Sequence, residues 1–394
     1  MRAMAADLME IFGGHFMSEV ADPYPAYRRL RQTEPVKLLD LPMASAYIVT
    51  RYDDVLAVLK DSTLFSSHSN ANGIGLVMGR TIIEMDGKEH SRHRNIIAPS
   101  FVPRALRGEL PHVIEAVAQE MIDGFAGDGR ADLVAQFTRT FPLRVIAHII
   151  GVPIEDYETF KRWSLDVIGF ADDPPKGFEA AGKLVDHLRP IVESRKTNPR
   201  GDLLSTLLHA EVDGEKLTDD EIYSFLRLLL PAGSDTTYRL IGTMLLALLG
   251  TPALYEEVCS DRAQLEWAIE ESLRWDAPVQ FASRETTAPT TLAGVEIPAG
   301  HNLLVALGSA NRDEAHYPDP DRFDLRRRAE DHLAFGFGRH FCVGSHLARL
   351  EARTAMNAIM DRLPNLRLDG PQASQIVGLA FRSPNRLPVA FDAA

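Results

Sequence analysis

Apolar residues return every three or four positions along most of the chain, and this periodicity predicts a mainly helical protein. The strongest run opens at Thr218-Asp219-Asp220-Glu221, the spacing of a capping box in which a hydroxyl and a carboxylate satisfy the first free backbone donors. It ends near Gly250-Thr251-Pro252. With a rise of about 1.5 Å per residue, such a helix is on the order of 48 Å long and must run through the core. Positions 240–249 are apolar nearly all round, yet Asp235 and Arg239 stand one or two turns before them, so burial inside protein fits better than a membrane span. Pro231 removes one backbone hydrogen bond in mid-helix and predicts a local bend.

Short runs at 36–39, 46–50, 291–297, 303–306 and 386–391 read as strands and add a minor sheet component. The polar, glycine-containing stretch 66–75 reads as a long loop, and Asp172-Asp173-Pro174-Pro175 marks a break between two helical stretches. The chain has no internal repeat, no low-complexity run and no linker long enough to separate two domains, so residues 1–394 are expected to form one large folded unit.

Composition narrows the function. With 45% hydrophobic residues the 394-residue chain can fill a large core, and 55 acidic against 42 basic residues argue against broad binding of nucleic acid or anionic membranes. The N-terminal segment MRAMAADLMEIFGGHF mixes charge and glycine into its apolar residues, unlike a signal peptide or a spanning segment, and a cytoplasmic protein is expected. Only two cysteines occur, Cys259 and Cys342, outside any C-x-x-C pattern, so neither a disulfide framework nor a cysteine-rich zinc site is indicated. Cys259 lies in a helical pattern and reads as a small buried hydrophobe.

Cys342 sits in Phe335-Gly336-Phe337-Gly338-Arg339-His340-Phe341-Cys342-Val343-Gly344, directly before an apparent helix. Glycines permit close backbone approach and positive φ, while a helix N-terminus and nearby amide donors favour an anionic sulfur. These ten residues resemble the haem-binding signature F-x-x-G-x-x-x-C-x-G of the cytochrome P450 superfamily, with every fixed position matched. Further motifs follow the family's order. Ala232-Gly233-Ser234-Asp235-Thr236-Thr237 is similar to the oxygen-activation motif A-G-x-[DE]-T-T, and Glu271-Ser272-Leu273-Arg274 matches E-x-x-R. Asn311-Arg312-Asp313, followed by Pro318-Asp319-Pro320-Asp321-Arg322-Phe323-Asp324, looks like the segment that leads to the cysteine loop in soluble bacterial members.

The resemblance implies a mainly α fold with minor β, a single large P450-like fold with a long central helix over the haem and small sheets at one side. It implies haem b with Cys342 as axial thiolate, a ligation that favours O–O cleavage. Phe335, Gly344 and Gly233 would lie against the haem, Gly233 leaving room for oxygen. His90 and Arg94 are four apart, a spacing that on its own describes a solvated basic face. By resemblance they hold the haem propionates with Arg284 and His340.

For Asp235 and Thr236 two readings stand side by side: local bonds to Arg239 and to the Ala232 carbonyl, or, by resemblance, hydrogen bonding to dioxygen or water and proton relay. Glu271 and Arg274 would form a buried structural network with a later arginine, Arg326. Leu228, Ala232, Val279, Phe281 and the 74–78 region would line a substrate pocket. The implied reaction is insertion of one oxygen atom from O2 into a hydrophobic small molecule. Electrons would come from a separate ferredoxin or flavodoxin with an NAD(P)H-dependent reductase, docking on Arg92, His93, Arg104, Arg107, Arg339 and Arg349. The alternatives are a peroxide-driven peroxygenase and a non-catalytic haem sensor or carrier.

Overall fold

The protein is described by a computed structural model covering residues 20–41, 44–153, 157–212, 214–370 and 374–393. The N-terminal segment read above lies outside the described residues. The helices that carry the site are α1 (Tyr52–Lys60), α2 (Gly87–Ile97), α3 (Leu110–Asp123), α4 (Asp219–Leu249), α5 (Gln264–Trp275) and α6 (Ser345–Arg362). Among the described residues no single helix is long and apolar enough to cross a membrane.

The long helix forms where the capping box places it. The Glu221 amide donates to Thr218 Oγ1 at 3.3 Å, and the Thr218 amide donates to Glu221 Oε2 at 2.7 Å. α4 then continues through Pro231 for 31 residues. Asp173 caps the helix that starts at Pro174, accepting from the Lys176 amide, so the predicted break at 172–175 is a helix start.

The chain divides into two compact units, each assembled from three segments. The first comprises Met1–Asn70, Thr243–Cys342 and Ser374–Asn385. Its sheet contains β1 (Val36–Leu39), β2 (Ala46–Val49), β3 (Phe65–Ser66), β4 (Phe281–Thr286) and β5 (Asn302–Ala306), in the order β1-β2-β5-β4-β3. β5 runs parallel to β2, with Asn302 opposite Ala46, and antiparallel to β4, with Asn302 opposite Glu285. The run at 291–297 is not one strand but a hairpin, Thr290–Leu292 with Val295–Ile297. Ala293 and Gly294 turn it with φ of 49° and 79°, the left-handed pair a tight hairpin requires. The stretch 66–75 is less loop-like than its composition suggests: it holds the end of β3, a 3-10 helix at His68–Asn72 and the start of a short helix, Gly75–Met78.

Arg274 has no exposed surface, and every arm of its guanidinium finds an acceptor. Nε and Nη2 donate to the two Glu271 carboxylate oxygens at 2.8 Å each. Nη1 donates to the Asn311 and Pro320 carbonyls at 3.0 and 2.8 Å, and Nη2 also reaches the Arg322 carbonyl at 3.2 Å. The later arginine in this network is Arg327, not the predicted Arg326. Asp324 caps the 3-10 turn Leu325–Arg327 through the Arg326 amide, which sends Arg327 Nε back to Glu271 Oε1 at 3.3 Å and leaves Arg326 on the surface with Glu257. The neighbouring Asn311-Arg312-Asp313 extends the scaffold: Asp313 Oδ2 accepts from the Tyr52 amide that starts α1, and Arg312 lies over the Tyr24 ring at 3.6 Å.

The second unit comprises Ala71–Gly242, Val343–Ala373 and Arg386–Ala394. It contains α2, α3, most of α4, and α6, with a three-stranded sheet of Arg367–Leu368, Pro388–Ala390 and Arg130–Asp132.

Truncating Arg274 to Ala strands the Glu271 carboxylate in the core. The expected loss is about 3–5 kcal/mol of stability, the usual cost of breaking a buried pair from one side. Urea unfolding of R274A measures it, and a midpoint equal to that of the native chain would show that the network contributes nothing.

Candidate active site

The cysteine turn is built from two glycines. Gly336 and Gly338 have φ of 68° and 70°, a region that disfavours side chains. A Cβ on Gly338 would sit 2.7 Å from the Leu59 carbonyl oxygen on α1, so this position also excludes a side chain by contact. The turn closes when the Cys342 amide donates to the Phe335 carbonyl at 2.9 Å, with the Phe335 and Phe341 rings edge to face at 6.2 Å. Cys342 itself is exposed, as is Phe341, although both stand in a tightly held loop. His340 Nε2 lies 3.0 Å from Ser67 Oγ. Gly344 is the N-cap of α6, which starts three residues after Cys342.

On α4 one line of positions stays open while its neighbours are buried. Ala232 is exposed, and Gly233 and Thr236 are half-buried, whereas Leu228, Leu229, Leu230, Ser234, Asp235 and Thr237 are buried. Positions 232 and 236 are one turn apart and share a face. Thr236 Oγ1 donates to the Ala232 carbonyl at 2.9 Å, so on the open face its hydroxyl offers lone pairs. Asp235 and Arg239 form a two-pronged buried pair, Nε to Oδ2 at 2.8 Å and Nη2 to Oδ1 at 3.1 Å. The local bonding read from sequence is therefore present at both residues. Gly233 has a packing reason of its own, since a Cβ there would meet Ile146 Cγ1 at 2.7 Å.

α2 carries His90, buried, and Arg94, half-buried, on successive turns. His93 departs from its expected place on a docking surface. It is buried at 2% exposure, with ring nitrogens 2.9 Å from the Glu89 carbonyl and 2.9 Å from Glu221 Oε1. Glu221 thus serves both the cap of α4 and the tie to α2, and the pattern of charges gave no sign of it. Arg104, Arg107 and Arg339 are exposed, and Arg92 and Arg349 half-buried. In the first unit Arg284 is buried on β4 and donates to the Ser283 carbonyl at 2.7 Å. Phe281 is not left free to line a pocket, because it packs in the core against Tyr27 at 6.1 Å, edge to face. Val279 is half-buried and pairs with Phe381 through a single β-bridge, and Leu228 is buried in the second unit.

A sequence model of the cytochrome P450 family matches residues 170–365. The chain is 37% identical to the cytochrome P450 monooxygenase PikC of Streptomyces venezuelae, over 89% of this chain and 86% of that protein. It is also 37% identical to the vitamin D(3) 25-hydroxylase of Pseudonocardia autotrophica, over 91% and 90%. Among solved structures, cytochrome P450 CYP109Q5 from Chondromyces apiculatus superposes with a TM-score of 0.86 at 36% identity, covering 95% of this chain and 96% of that one. The chain belongs to the cytochrome P450 family.

Cytochromes P450 of this kind are monooxygenases and hydroxylases, and the family implies a haem. The residues of this P450 fit one. A thiol exposed on a loop that two left-handed glycines and a closing amide hold in place is a ligand presented outward. In the middle of a largely buried helix, Ala232, Gly233 and Thr236 are open and leave a narrow face with little side-chain bulk. Soft sulfur together with the cationic and imidazole side chains of His90, Arg94, Arg284 and His340 is a donor set suited to iron and two carboxylates.

The buried pair on α4 can be tested by itself. Asp235→Ala leaves Arg239 without its carboxylate in the core and is expected to cost about 3–5 kcal/mol, while D235L/R239L regains most of that loss. Denaturant unfolding of the single and double variants decides it, and additive losses would contradict coupling.

Proposed function

We propose that this cytochrome P450 inserts one oxygen atom of O2 into a C–H bond or double bond of a hydrophobic small molecule, with haem b bound through the Cys342 thiolate. The observation that supports it most is the coincidence of an outward thiol on a rigid turn with a buried helix opened at Ala232, Gly233 and Thr236. Haem ligated by thiolate supplies the oxygen-cleaving reactivity when bound. Two electrons come from a separate ferredoxin or flavodoxin with its NAD(P)H-dependent reductase, and exposed Arg104, Arg107 and Arg339 are the basic groups offered to that acidic partner.

The chain's own residues then have distinct tasks. Cys342 is held as an acceptor-ready sulfur by the Phe335–Cys342 backbone bond. His90, Arg94, Arg284 and His340 neutralise the two propionates, whose burial would otherwise carry a large desolvation cost. Phe335 and Gly344 flank the sulfur in sequence and would lie against the haem.

Thr236 acts through its lone pairs. Its hydroxyl proton is committed to the Ala232 carbonyl, so it accepts a hydrogen bond from a proton arriving at the open face. Asp235 joins the relay when its pair with Arg239 opens, because the closed pair holds the carboxylate against the guanidinium in the core. Of the apolar residues proposed for substrate, Ala232 is exposed in the second unit and Val279 half-buried in the first, whereas Leu228 is buried.

Relatives named as a vitamin D(3) 25-hydroxylase and as a cyclomarin C epoxidase suggest different compounds, so the substrate class is kept at hydrophobic and small. Thr236→Ala should keep haem and ligand binding but divert most electrons to hydrogen peroxide, whereas Thr236→Ser, which retains the lone pairs, stays coupled. Product and peroxide per NADH consumed, measured with redox partners, give the answer; full coupling in T236A would refute the role. Parallel reactions driven by peroxide, and by neither oxidant source, separate the monooxygenase from a peroxygenase and from a haem carrier without turnover.

A further inference from the structure

Glu270 and Glu271 are neighbours on α5, and both are buried. Glu271 takes Arg274, and through Arg274 and Asn311 it reaches the Leu333 amide, which donates to Asn311 Oδ1 at 2.7 Å. Glu270 leads to the next amide by another route. Its Oε2 lies 3.1 Å from Nε2 of His332, a buried imidazole, and Nδ1 of the same ring lies 3.2 Å from the Ala334 nitrogen.

These two contacts determine the state of the ring. A backbone amide can only donate, so Nδ1 accepts from Ala334 and carries no hydrogen. The imidazole hydrogen therefore sits on Nε2, where the Glu270 carboxylate accepts it. Turning the ring over would put carbon atoms at both positions and lose both bonds, so orientation and tautomer are set together. The ring also meets that of Phe335, centroid to centroid at 5.8 Å and tilted by 47°. Phe335 in turn accepts from the Cys342 amide and packs edge to face on Phe341. Two consecutive amides, of Leu333 and Ala334, are thus held just where the chain enters the turn at Gly336, and all of these groups belong to the first unit.

We propose that His332 is a positioning residue for Cys342: as the Nε2–H tautomer it fixes the Ala334 amide and the Phe335 ring, and through them the turn that presents the sulfur. The proposal rests on the haem–thiolate reading above. Of the two bonds, the one to Ala334 acts on the turn, while the one to Glu270 sets the tautomer and the orientation of the ring. A role in packing alone needs only a flat ring of this size. A positioning role needs an acceptor at Nδ1, and asparagine can supply one, because its side-chain oxygen accepts from the amide two residues on.

The experiment compares the native full chain with H332F and H332N, each supplied with haem and reduced under carbon monoxide. Phenylalanine keeps a ring without nitrogen, and asparagine keeps the local acceptor but is too short for Glu270. Both variants should unfold at lower urea than the native chain, because both lose the bond to Glu270. Only H332F should lose thiolate coordination: the ratio of the red-shifted thiolate band to the band of haem without thiolate should fall roughly tenfold, about what one lost hydrogen bond carries. H332N should stay near the native ratio. A native ratio in H332F, or a ratio in H332N as low as in H332F, overturns the proposal. Should H332F not fold, nitrogen NMR of the histidine-labelled native chain decides, with the His332 signals identified by their loss in H332N. Hydrogen on Nε2 alone supports the proposal, and hydrogen on Nδ1 or on both nitrogens overturns it. The tautomer is read whether or not haem is bound, whereas a native chain without the thiolate band would refute the haem–thiolate reading, so the two failures are distinguishable.

Discussion

An arginine with no exposed surface must find an acceptor for each of its donors, and from that requirement at Arg274 much of the first unit follows. Its guanidinium binds Glu271 on its own helix and then the carbonyls of Asn311, Pro320 and Arg322, so it sets the course of the chain between 311 and 322. Asn311 passes the constraint on. Its carbonyl accepts from Arg274, and its side-chain oxygen accepts from the Leu333 amide at 2.7 Å. The Leu333 carbonyl accepts from Gly336, and the Phe335 carbonyl accepts from Cys342. A line of hydrogen bonds and peptide links therefore runs from the E-x-x-R helix to the Cys342 amide and ties together two motifs distant in sequence. Because Arg274 and Asn311 are buried, removing the guanidinium leaves its acceptors stranded.

The second unit works by a different constraint, which is that a long buried helix must leave something open to have a function. α4 buries leucines along much of its length and opens in its middle at Ala232, Gly233 and Thr236. Two polar groups beside that opening are locally satisfied, Thr236 by the Ala232 carbonyl and Asp235 by Arg239. Satisfaction does not make them inert. It fixes the threonine as an acceptor on the open face and makes release of Asp235 a separate event, which divides between two residues a task that the sequence motif presents as one.

Periodicity and capping chemistry were enough to place α4, because Thr218 and Glu221 are local partners whose bonds depend only on their spacing. The strands at 36–39 and 303–306 were equally legible, and so was the cysteine loop, whose glycines carry their meaning in their own φ angles. What could not be read depended on tertiary neighbours. Which of three consecutive arginines reaches Glu271 is decided by a 3-10 turn capped by Asp324, and that favours Arg327 over Arg326. His93 lies beside the expected haem-binding positions and looks like one more surface cation until Glu221, 128 positions later, is brought to it. Phe281 follows the E-x-x-R helix in sequence yet enters the core, because the strand it begins presents it to Tyr27.

The central claim is that Cys342 binds haem iron as a thiolate, and the absorption of the reduced protein under carbon monoxide tests it most directly. The account predicts the strongly red-shifted band peculiar to thiolate coordination, lost on Cys342→Ala. A preparation that takes up no haem when it is freely supplied, or a band that survives in C342A, would contradict it.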